Sequence, residues 1–442
     1  MVMRIELFKS ILLTLLVVLS GLLTWNVWSY QPSTETFEAP TTIDVAISEE
    51  RDIDDLIKPL RFLVHEEEAV YGASAASEVE TLLSQMTDWS IFSIRQNTSL
   101  NEEEFLNLVH GPNRIEVVFP VSVPFNTYQD VLRFEDSNLP QDSFNRIVID
   151  VAARDESTFT VYFVHYENRV VYESRVDRDS LAAVNRDIVV PASEKYMAYA
   201  RYDTGQRAIF VPANRLTPQQ YGYRMERIDI ELFRQALFSN PDDINYNSLA
   251  SSREQYVDSS NLLEVNNNTN MMSFVNLSSD GATIIDSTEL ITNSRRFVND
   301  HSGWTGDYYL ANLDPMNQQV TYRMQIGGVP IFSEDGVSEI NQEWGSTIIH
   351  KYSRSFLQTQ FPLPTESATK TLQPGLDVIS QIQSREEDYE AELLEDVTPA
   401  YRMIRDSQNA LTYTLDPSWY YKYDGVWKRV PEQGGGDPIG LE

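Results

Sequence analysis

From Ser10 to Thr34 the chain carries no charged side chain. Within that run, residues 10–27 (SILLTLLVVLSGLLTWNV) are mostly Leu, Ile and Val. A helix needs ~20 predominantly apolar residues to cross the ~30 Å hydrocarbon layer of a bilayer. The run therefore predicts one membrane-spanning helix over 10–30. A cleaved leader would have a shorter apolar stretch of ~7–15 residues ending at a small-x-small site. Here the run is longer and ends in Trp25, Trp28 and Tyr30, amphipathic rings suited to the membrane–water interface as anchors. Arg4 and Lys9 precede it with only Glu6 opposing them, which places residues 1–9 in the cytoplasm and the rest of the chain outside the cell. No second long apolar run follows, so the expected topology is single-pass at the cell membrane.

The helix also carries a face. Ser10, Thr14, Val17, Gly21 and Thr24 recur at spacings of four, three, four and three. Small and hydroxylated residues on one side let a second helix approach closely in lipid, so these five are the candidate helix–helix interface.

Composition bounds the remainder. The chain has 442 residues, which predicts two or three domains. Hydrophobic residues make up 42%, enough for packed cores despite a formal net charge of −32. That acidity repels nucleic acid, so no nucleic-acid partner is expected. The absence of cysteine excludes disulfides, thiol nucleophiles, thiolate metal sites and lipidated cysteines.

Residues 31–56, with Pro32 and Pro40 and no clear period, read as a tether. Apolar spacing and capping residues predict helices at 77–89, 102–110, 229–238, 286–301 and 376–383. Ser77 and Glu80 form a capping-box pattern at the first of these. β-branched and aromatic runs predict strands at 114–123, 146–152, 158–165, 169–174 and 207–211, then at 256–265, 272–277, 308–313, 319–326, 329–332, 347–353, 400–404, 410–415 and 425–430. The predicted fold class is α+β: a single N-terminal transmembrane helix, then a multi-domain extracytoplasmic region of mostly antiparallel sheets with packed helices. Its expected parts are an N-terminal α+β domain at 57–212, a middle α+β domain at 213–285, a C-terminal α+β domain at 286–431 and a disordered tail at 432–442.

A search for chemistry finds no catalytic constellation. The histidines, His65, His110, His165, His301 and His350, are far apart in sequence, and none belongs to an HExxH pattern. His65 followed by Glu66, Glu67 and Glu68 has the atoms to hold a cation but reads better as a solvated turn. Ser367-Ala368-Thr369-Lys370 matches the S-x-x-K of penicillin-binding serine enzymes, yet it lies among prolines and lacks the companion motifs. The aromatic run from Trp419 to Trp427 fits a binding face, but aromatics at strand spacing fit the packing of a sheet better. No catalytic residue, cofactor or metal site is assigned.

The segment Leu23-Thr24-Trp25-Asn26-Val27-Trp28 followed by Tyr30-Gln31-Pro32 resembles the YycH family of membrane-anchored regulators. So do residues 297–310 (FVNDHSGWTGDYYL) and 322–332 (YRMQIGGVPIF), with Trp344-Gly345 and His350-Lys351-Tyr352 beyond them. The resemblance implies a non-catalytic accessory protein. It would act with the related regulator YycI on the WalK (YycG) sensor histidine kinase, which controls cell-wall metabolism. It also implies that 286–431 has a YycI-like fold. An extracellular binding or chaperone-like module for envelope components is the alternative.

Overall fold

In the computed structural model, residue 20 and residues 50–431 are described, apart from 153, 154, 156, 280–283, 302 and 364–367. The described residues 50–431 belong to one compact unit, Val45–Glu442.

Ten strands build a first sheet: β1 (Arg61–His65), β2 (Val70–Ala73), β3 (Ser90–Asn97), β4 (Arg114–Pro124), β5 (Arg133–Phe134), β6 (Ser143–Asp150), β7 (Thr158–His165), β8 (Val170–Asp177), β9 (Met197–Asp203) and β10 (Ala208–Pro212). Their spatial order is β10-β9-β2-β1-β4-β6-β7-β8-β3-β5. Neighbours are antiparallel except β3 with β5. Successive side chains on a strand face opposite ways, so register decides what each face holds. Phe62, Val64, Ile115, Val117, Ile147 and Ile149 enter the main hydrophobic core. Leu63 lies opposite Glu116, Glu116 opposite Val148, and His65 opposite Arg114, so the other face of the same three strands is largely polar.

The second sheet has fourteen strands. They are β11 (Tyr221–Arg227), β12 (Asn245–Ala250), β13 (Arg253–Val257), β14 (Asn261–Asn266), β15 (Met271–Asn276), β16 (Tyr308–Asp314), β17 (Gln319–Ile326), β18 (Val329–Ser333), β19 (Glu339–Trp344), β20 (Ile349–Ser355), β21 (Leu357–Leu363), β22 (Leu394–Arg405), β23 (Thr412–Tyr423) and β24 (Val426–Arg429). Trp419, Tyr420, Tyr421 and Tyr423 are buried on β23. Tyr420 stacks on Phe332 at 4.0 Å. That aromatic run packs the sheet.

Among the described residues, five helices of eight or more residues accompany the sheets: α1 (Ala76–Thr87), α2 (Glu102–His110), α3 (Ile230–Leu237), α4 (Ser287–Asp300) and α5 (Gly375–Arg385). α2 opens with a capping box in which the Asn101 side chain accepts from Glu104 N–H at 3.0 Å and the Glu104 carboxylate accepts from Asn101 N–H at 2.9 Å. Asp286 caps α4 through Thr288 and Glu289 N–H. α1 buries Val79, Leu82, Leu83 and Met86, at the predicted spacing. Its predicted capping box does not form. The helix starts before Ser77, with Ala75 as its cap, and Ala76 N–H donates to Gly327 O at 3.0 Å. The β17–β18 hairpin of the second sheet thus supplies the cap for a helix of the first half. The start of the described body is also tied across. Arg51 N–H donates to Asn299 Oδ1 at 3.1 Å, and Arg51 O accepts from Arg295 Nη1 and Asn299 Nδ2 on α4.

This architecture corrects the expected fold class. The described body is mostly sheet, and among the described residues no helix is long and apolar enough to cross a membrane. The longest is α4, with 14 residues and a strongly polar composition. The span expected at 10–30 lies, apart from Ser20, outside the described residues.

Candidate functional site: a polar cleft between the sheets

The register that makes one face of the first sheet polar also gathers its charges. Arg61 and His65 on β1, Glu116 on β4 and Arg146 on β6 all point the same way. α2 covers part of this face through Phe105 and Val109, which pack on Val148, Val164 and Tyr166. His110, the last residue of α2, is thereby delivered beside Glu116. His65, His110 and Glu116 are all buried. Glu116 Oε2 lies 3.0 Å from His65 Nε2 and 3.0 Å from His110 Nδ1, and Oε1 accepts from Arg146 Nε at 3.1 Å. Burial alone would raise the Glu116 carboxyl, but the two imidazoles next to it hold it well below the usual carboxylate range.

The other nitrogen of His110, Nε2, lies 2.8 Å from the Tyr166 hydroxyl, which itself accepts from Ala208 N–H at 3.1 Å. With Ala208 donating, the hydroxyl proton is available to His110 Nε2, and His110 then carries its own proton on Nδ1 toward Glu116. Burial pushes the Tyr166 phenol up to about 12, so it stays protonated as this arrangement requires. His65 Nδ1 is buried and has no hydrogen-bond partner.

Glu116, Arg146 and Tyr166 form one wall of a cavity of about 100 Å³, and Arg323, Asp396 and Lys422 of the second sheet form the other. Arg61 crosses it to Asp396 at 2.9 Å. Arg323 pairs with Glu339 at 2.7 Å and lies over the Phe332 ring at 4.1 Å. Lys422 pairs with Glu395 at 2.7 Å. The cavity is dense in charge yet internally paired. That pattern suits recognition and positioning.

The sequence-level candidates fall elsewhere. Ser10, Thr14, Val17, Gly21 and Thr24, and the anchors Trp25, Trp28 and Tyr30, lie outside the described residues. Glu66, Glu67 and Glu68 form an exposed turn, as expected, while His65 points inward. Ser367 is outside the described residues, and Lys370 is ion-paired to Asp416 at 2.5 Å. The histidines are not all isolated, as their spacing implied: the rings of His65 and His110 are 5.7 Å apart. No local motif announces that pairing. Alternation along β4 was the one available signal, because it sets Glu116 among Arg114 and Val118 on a face opposite Ile115 and Val117.

Comparison with known proteins bears on this arrangement. The model of the YycH protein N-terminal domain matches residues 6–191, and that of the YycH protein C-terminal domain matches residues 206–433. The chain belongs to the YycH family. The N-terminal family model covers β1–β8 of the first sheet, and the C-terminal one covers β10 of that sheet together with β11–β24 of the second. A curated relative, the "Two-component system WalR/WalK regulatory protein YycH" of Bacillus subtilis (strain 168), is 23% identical over 97% of this chain and 96% of its own length. The crystal structure of YycH from Bacillus subtilis superposes with a TM-score of 0.73 at 19% identity, covering 87% of this chain and 98% of that one. At that identity the likeness is one of fold. The stretches that resemble YycH in sequence lie on the end of α4, the start of β16, the β17–β18 hairpin, the end of β19 and β20, while residues 23–32 lie outside the described residues.

Proposed function

We propose that this protein is a regulatory component of a WalR/WalK-type two-component system and that it acts by binding the sensor histidine kinase together with a YycI-like partner. The observation that carries the reading is the reach of the family likeness. It spans both sides of the cleft and nearly the full length of a relative named as a regulator of that system. The site chemistry agrees with a binding role. The cleft charges are paired, and Lys370, the general-base position of the one enzyme-like tetrad, is held by Asp416. In this reading the two-sheet body is the recognition element and carries out no bond chemistry.

Two measurements test it. Deleting the gene should change the phosphorylated fraction of the cognate response regulator, and wild-type protein should restore it. The full chain should also recover the kinase when captured from its host. An unchanged phosphorylated fraction, with no kinase retained, would overturn the proposal.

A further inference from the structure

We propose that His65, His110 and Glu116 form a binding site for one divalent transition-metal ion of the borderline class, with Zn²⁺ the best fit. Three ligand atoms, one from each residue, converge within 4.8 Å of one another. The two nitrogen–oxygen separations are both 3.0 Å. Two bonds of ~2.0 Å at a tetrahedral angle place their donor atoms ~3.3 Å apart, so each nitrogen–oxygen pair needs only a small expansion to admit an ion. Two imidazoles and one carboxylate suit Zn²⁺ and its neighbours rather than Ca²⁺ or Mg²⁺, which prefer all-oxygen sets.

The surroundings have the form of an outer shell. Metal-bound histidines are usually oriented through their second nitrogen, and ligating carboxylates through their second oxygen. Here Tyr166 holds His110 Nε2, and Arg146 holds Glu116 Oε1. That leaves Nδ1 and Oε2 directed at the shared point. Ion entry would move the neutral His110 ring to its other tautomer: the proton leaves Nδ1, Nε2 takes one up in its place and donates to the Tyr166 oxygen, and the Tyr166 hydroxyl proton turns away from the ring. Of the three ligands, Glu116 alone lines the cavity between the sheets, so an ion would approach along its carboxylate. The Arg146 charge opposes a dication, and the Glu116 carboxylate between them offsets that repulsion.

The competing description is a closed set of N–H···O bonds with no ion. It requires both rings to donate to one oxygen, whereas the buried, unpartnered His65 Nδ1 is common to both descriptions. The two descriptions separate experimentally. The full chain, made without a histidine tag and stripped with a chelator, is titrated with Co²⁺ and then Zn²⁺ while excess Mg²⁺ occupies the acidic surface. One equivalent of Co²⁺ should produce visible ligand-field bands of a nitrogen–oxygen site, and one equivalent of Zn²⁺ should abolish them. His65→Gln and His110→Gln should each weaken Zn²⁺ retention at least tenfold. The wild-type titration decides even if a variant fails to fold: no bands and no retained Zn²⁺ would leave a purely hydrogen-bonded trio. Retention unaffected by both substitutions would place the ion elsewhere and overturn the assignment as well.

Discussion

Arg354 is fully buried, and no ion-pair partner is assigned to it among the described residues. Its guanidinium instead donates to Gly303 O at 2.8 Å, Tyr352 Oη at 2.9 Å, Thr305 Oγ1 at 2.9 Å and Ser355 O at 3.2 Å, and it sits over the Phe233 ring. A planar fork with five donors can span four acceptors at once, whereas an ammonium is a single point. Arg354→Lys keeps the charge and loses that reach, so denaturant unfolding should show a loss of about 2–4 kcal/mol. His301 behaves differently. Its ring stacks on Phe297 at 4.1 Å and Nδ1–H donates to Phe297 O at 2.8 Å. Burial lowers its pKa, against the opposing pull of that carbonyl and Asp300. The unfolded chain takes up the His301 proton near pH ~6.5 and the folded chain only below that. Between those values the unfolded state holds more protons, so stability falls as the solution is acidified. Wild type should therefore lose more stability than His301→Gln between pH 7 and pH 5. Parallel slopes would show that the ring is not held neutral.

At the scale of elements, what the sequence reveals depends on range. α2 was legible to the residue because its signals are local, and its Asn101–Glu104 capping box, not singled out from the sequence, is local as well. β3 and β19 were missed because SIFSIRQN and EINQEW mix polar and apolar residues, and their place in the sheet comes from strands distant in sequence. The cap of α1 failed as a local reading for the same reason. Its donor is met by the β17–β18 hairpin, more than two hundred residues away. The His65–His110–Glu116 cluster is likewise assembled by register and by a helix end. The hairpin has a sharp test. Gly328 has φ +88°, and a Cβ there would lie 2.4 Å from Ser74 O and 2.9 Å from Ala76 N. Gly327 has φ +58° and open space around its Cβ position. Gly328→Ala should cost more than about 1 kcal/mol from clash and backbone strain together. Gly327→Asn should be tolerated, since Asn accepts the left-handed conformation. Equal effects at the two positions would mean the hairpin does not press on α1.

Across the molecule, the link most open to measurement is Arg61 to Asp396, which joins β1 to β22 at 2.9 Å. Arg61 Nε is buried without a partner, so the pair is only partly satisfied. Removing Arg61 alone leaves a mostly buried carboxylate, and removing Asp396 alone leaves a buried guanidinium. Each single change, Arg61→Met or Asp396→Leu, should therefore be costlier than its share of the double change. A coupling of about 1 kcal/mol or more in a double-mutant cycle is the expected result, and additivity would show that the two sheets meet without this pair. The ties of Arg51 to Asn299 and Arg295 have a mechanical reading. A pull on the chain at Glu50 reaches a clasp on α4 before it reaches any strand of the first sheet. The start of the body is thus a handle on α4: load applied there is delivered to Ser287–Asp300 rather than spent peeling β1 from its neighbours.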